Sequence, residues 1–84
     1  MPPDSLTPIL LRFAADSALI RRLVAEDEGF RSLVEDYILT LNTLRRLKNL
    51  KPAKQNAITE YTFVLQDLEQ EITTCLSRAR NASG

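Results

Sequence analysis

The sequence predicts an all-α protein: an antiparallel hairpin of two long helices, with a shorter, kinked N-terminal helix packed on it to complete a three-helix bundle. Three observations lead there. Apolar residues recur at alternating spacings of three and four along most of the chain, which is the repeat of one helix face. There are only two glycines, Gly29 and Gly84, and the four prolines are confined to the first eight residues and position 52, leaving long uninterrupted stretches that helices fill. No segment alternates apolar and polar residues with the period of two that marks a half-buried strand.

Residues 1–6 form a proline-rich, loose leader, and the first helix spans residues 7–26. Thr7 offers an N-cap hydroxyl and Pro8 occupies a first-turn position, where its missing N–H costs nothing. Ile9, Leu10 and Phe13 make one apolar stripe; Asp16-Ser17 reads as a second cap that breaks the helix near residue 16. The stripe resumes through Ile20, Leu23 and Val24. The acidic run Glu26-Asp27-Glu28 then marks the start of the next helix, because carboxylates are favoured at the positive end of the helix dipole.

The second helix covers residues 28–50. Phe30, Val34, Tyr37, Leu41, Leu44 and Lys48 follow one another at spacings of four, three, four, three and four, a heptad seam that is apolar except at its last position. Leu33, Ile38 and Leu47 widen the seam, so this helix is expected to touch both of the others. Leu50-Lys51-Pro52 is the turn, since a helix does not readily continue into a proline. The third helix covers residues 52–80, with Ile58, Tyr61, Leu65, Leu68, Ile72, Cys75 and Ala79 in an unbroken heptad pattern. Residues 81–84 are a frayed tail. A short turn between two long rods forces them antiparallel, and the first helix is expected to lie across the open end.

Eighty-four residues, 44% of them hydrophobic, fit one domain and leave no room for a second. A chain of this length buries only about 60 to 65% of the surface its unfolded form exposes, and such domains draw on a disulfide, a metal or self-association. One cysteine and no histidine leave self-association. The first residues lack a basic segment followed by an apolar run, and no apolar run approaches the ~20 residues that span a bilayer. A cytoplasmic protein without a membrane span is therefore expected, in which Asn81-Ala82-Ser83 is not a glycosylation acceptor.

Catalytic, cofactor and metal sites are not expected. Acid–base chemistry needs converging carboxylates or a carboxylate and a histidine, whereas Asp67, Glu69 and Glu71 read as a solvated face beside the third helix's seam. Without histidine, the Glu-x-x-His pairs of di-iron helical bundles cannot be written. Cys75 occupies a seam position, where a lone thiol behaves as a small hydrophobe; an interchain or redox-sensitive thiol is the sharper alternative.

Two features are candidates for interaction. Leu39 points away from the second helix's seam, and Phe63 lies among Asn56, Thr59, Gln66 and Gln70. Val64 and Leu76 flank the third helix's seam and broaden it for a second helix pair. These four are the candidate contacts for a homodimer or another protein, and two hairpins would form a four-helix dimer.

The other feature is Arg45, Arg46, Lys48, Lys51 and Lys54, five cations in ten positions at the hairpin tip, in a chain with eleven acidic and eleven basic residues overall. They read either as an anion patch for nucleic acid, an acidic protein or lipid headgroups, or as cations that complement the second helix's dipole. No aromatic accompanies them for base stacking, so nucleic acid is the less favoured partner.

The run Leu19-Ile20-Arg21-Arg22-Leu23, followed by Glu26-Asp27, Phe30, Leu33 and Tyr37, resembles the opening of the small bacterial YdcH-like proteins. That resemblance covers about a quarter of the chain and implies a short cytoplasmic bacterial helical hairpin of unassigned biochemistry; separately, the sequence shows no sign of a small-molecule substrate.

Overall fold

A computed structural model describes residues 6–83. Among them every regular element is helical: α1 (Thr7–Arg12), a 3₁₀ turn at Ala14–Asp16, α2 (Ser17–Glu26), α3 (Glu28–Asn49) and α4 (Gln55–Ser83). α3 and α4 form the antiparallel hairpin, and α1 and α2 pack on it as a third layer. The 29 residues of α4, at 1.5 Å each, make a rod of about 43 Å. That rod sets the long axis of a molecule measuring 49 × 27 × 21 Å.

Local chemistry fixes the corner between α2 and α3. Asp27 is extended and is the N-cap of α3, its carboxylate accepting from the Phe30 N–H at 3.1 Å; this satisfies one of the donors a helix start leaves unpaired. Gly29 leaves room for that carboxylate, since a Cβ there would lie 3.3 Å from Asp27 Oδ1. Arg31 completes the corner from the other side, donating to the carbonyls of Val24 at 2.8 Å and Ala25 at 3.4 Å. One side chain from the first turn of α3 thus closes the C-terminus of α2.

The core joins Ile9 of α1, Ile20 of α2, Phe30, Val34 and Tyr37 of α3, and Ile72 and Leu76 of α4. It therefore sits at the open end of the hairpin, where three layers meet. Toward the tip only two helices are present, and Leu41, Leu47, Ile58, Leu65 and Leu68 are only half-buried. Two ion pairs fasten the N-terminal layer to α4: Arg12 with Glu69 at 3.1 Å, and Arg80 with Asp16 at 2.6 Å.

Several sequence expectations are corrected. The first helix breaks at Phe13, whose φ of −123° and ψ of 52° leave the helical region, and not first at Asp16-Ser17. Asp16 makes no capping bond, because its carboxylate takes Arg80. Thr7 is itself helical and caps nothing; the N-cap is Leu6, which packs against the core and is no loose leader. Residues 1–5 of that leader lie outside the described residues. α4 begins at Gln55 and not at 52, its first helical bond running from Ile58 N–H to the Lys54 carbonyl, since reversing the chain between two packed rods uses residues 50–54. At its other end α4 continues to Ser83, as Asn81-Ala82 holds no stop signal; Gly84 lies outside the described residues.

Candidate interaction surfaces

Two of the candidate contacts stand well clear of the core: Leu39 is 63% and Phe63 62% exposed. Val64 is also exposed, at 43%. Leu76 is not part of this set. It is 1% exposed and fills the core beside Ile72, because α1 and α2 cover the side of α4 on which it lies. Sequence reasoning missed three exposed apolar residues, Leu11, Leu50 and Tyr61. Tyr61 holds a seam position, but it stands near the tip where no third layer reaches.

The surroundings of the two outward residues differ. Phe63 rises from a row of α4 in which Asn56, Thr59, Gln66 and Gln70 recur at helical spacing without one charge. Leu39 stands at the rim of a groove of about 440 Å³ whose apolar lining includes Leu6, Val24, Val34 and Ile38. Arg31, Glu35 and Asn42 line its remaining edge.

A partly buried polar cluster links three elements and includes Glu69, a residue that sequence spacing places on a solvated face. Tyr37 of α3 donates its hydroxyl to Glu69 Oε2 at 3.1 Å, and Arg12 of α1 donates to the same oxygen at 3.1 Å. Burial pushes the Tyr37 phenol up to about 12, with the Glu69 hydrogen bond and negative charge adding to the shift. Tyr37 in a core seam was the available signal, because a buried tyrosine hydroxyl needs a partner and the facing helix must supply it.

The five tip cations Arg45, Arg46, Lys48, Lys51 and Lys54 are all exposed. Neither ion pair formed among the described residues includes any of them. Cys75 is a free, half-buried thiol. Among the described residues, no three acidic or cysteine side chains converge in a group that could hold a metal ion, and no helix is long and apolar enough to cross a membrane.

No family model matches the chain, and neither a curated protein nor a solved structure does. The likeness to YdcH-like proteins therefore rests on residues 19–37 alone.

Proposed function

We propose that this chain is a small cytoplasmic interaction module without catalytic activity, whose helical hairpin associates with a second copy of itself or with another protein. The observation that carries the reading is the exposure of Phe63 on a charge-free row of a long helix. Burying most of a phenylalanine side chain is worth about 1 to 2 kcal/mol; the row itself holds no ionised group, and the acids one turn away, Glu60 and Asp67, are exposed and can remain in water at the rim of a contact. Val64, also exposed, adjoins Phe63 on α4 and supplies further apolar area that a second hairpin would cover in a four-helix arrangement.

Light scattering on a sizing column, over a range of protein concentrations and with and without reductant, tests this. The expected result is a concentration-dependent dimer that Phe63→Ser converts to a folded monomer. A monomer at every concentration, together with no partner retained in a pull-down that Phe63→Ser abolishes, would remove the basis for the proposal. A dimer lost only on adding reductant would transfer the contact to Cys75.

A further inference from the structure

The tip of the hairpin concentrates positive charge beyond what helix electrostatics explains. Only Arg46 and Lys48 lie in the last turn of α3, where cations offset the negative end of its dipole. Arg45 precedes that turn, and Lys51 and Lys54 lie beyond the helix. The Lys54 carbonyl even accepts the first bond of α4, from the Ile58 N–H, placing a cation at the positive end of that helix, and the first turn of α4 contains no acid. A helix start is ordinarily furnished with Asp or Glu, as Asp27 and Glu28 furnish α3; here the dipole of α4 and the five side chains add to one positive field.

The nearest acids in sequence are Asp36 and Glu60. At 1.5 Å per residue Asp36 lies about 14 Å from Arg45 and Glu60 about 9 Å from Lys54 along the chain; Glu60, level with Arg45 across the hairpin, is set back from the apex that Lys51 and Lys54 occupy. A partner meeting the molecule end-on therefore meets cations without compensating acids, although the whole chain is neutral.

We infer that the hairpin tip is a docking surface for an anionic lipid bilayer. The choice among polyanions rests on shape and on Leu50. Two packed helices present an end about 20 Å across, too broad for the ~12 Å major groove of duplex DNA. Single strands are held by stacking on aromatic rings; none lies in the apex itself, and the exposed Tyr61 stands about 9 Å into α4 from its start, set back from the cations. Instead the apex offers Leu50, 44% exposed, with the exposed Pro52 and Ala53, among cations. An apolar residue within a basic patch matches a surface with anionic headgroups outside and acyl chains beneath. This surface is distinct from the Phe63 row, and its assignment does not depend on association through that row.

Cosedimentation of the full chain with phosphatidylcholine vesicles, with and without phosphatidylserine, tests the inference, alongside single- and double-stranded oligonucleotides at roughly 50 and 200 mM salt. Binding is expected on the anionic vesicles alone and should weaken as salt rises. Replacing Lys48, Lys51 and Lys54 together by Gln should lower partitioning on the order of a hundredfold. Leu50→Ser should lower it by up to about tenfold while leaving the salt dependence intact. All four positions are exposed, and unchanged helical circular dichroism will show that the variants remain folded; the salt and lipid dependence of the unmodified chain tests the inference independently of them. Equal binding to neutral and anionic vesicles, or none, overturns it. Tighter binding to an oligonucleotide, indifferent to Leu50→Ser, would assign the tip to nucleic acid instead.

Discussion

Leu76 and Leu39 present one type of side chain to opposite environments, the first enclosed by the core and the second in solvent. Leu76→Ala should cost about 2 to 5 kcal/mol, since it removes apolar contacts and leaves a cavity among packed neighbours. A domain of this size has about 4 to 13 kcal/mol in total, so the variant loses a large share of its stability; urea denaturation measures it, and a loss below that of Leu39→Ala would contradict the placement of Leu76. Tyr37 gives a second test. Its phenol is raised above the unfolded value of 10.0 to about 12, so the unfolded chain releases this proton first as pH rises. The contribution is fully present below pH 10 and is lost as pH climbs through the folded value. Tyr37→Phe should cost about 1 kcal/mol at neutral pH through the missing hydrogen bond to Glu69. It should also flatten the alkaline fall in stability, read from thermal melts across that range; an identical fall in both proteins would place its origin elsewhere.

The corner from α2 to α3 shows how much of an element a few residues decide. Asp27→Ala removes the only side-chain cap found at this corner's helix start and should cost about 1 kcal/mol, whereas Asp27→Asn, which keeps the acceptor oxygen, should cost less than half of that. Chemical denaturation of both variants separates the bond from the charge. This corner was legible because its acidic run and the following Phe30 seam are both local signals, and the hairpin was legible because periodicity survives over long helices. What escaped was chosen by tertiary partners. Asp16 looks like a cap but is taken by Arg80, and Glu69 looks solvated but is taken by Tyr37 and Arg12. Leu76 and Val64 look equivalent beside their seam, and only the position of α1 and α2 separates them. Sequence spacing identifies a helix face; it does not say which flank of that face the next layer covers. For the same reason Phe63 and Leu39, which lie opposite their seams, were identifiable as outward-facing from sequence, while Leu11 and Leu50 were not.

Across the whole molecule, packing is polarised. The continuous core belongs to the open end, where Ile9 and Ile20 close over Phe30, Val34, Ile72 and Leu76, and the N-terminal layer is fastened there by Arg12 and Asp16. Exposed ion pairs of this kind contribute about 0 to 1 kcal/mol each, so apolar burial is the larger effect holding that end. At the tip, Leu44 is the one buried apolar residue on α3 beyond Tyr37, and α4 from Gln55 to Leu68 buries none fully. Local opening follows the density of buried contacts, so amide hydrogen exchange should be slowest in residues 30–37 and 69–77 and faster by at least tenfold in residues 45–50 and 58–66, at low protein concentration. The same gradient bears on association. If a second hairpin covers the Phe63 row and Val64 beside it, raising the concentration should slow exchange in residues 58–68 and leave the open-end core unchanged. Exchange that is already uniform along α4 at the lowest concentration would contradict the polarised packing, whereas a gradient that persists undiminished at high concentration would show that the tip half of α4 stays uncovered and would argue against the dimer.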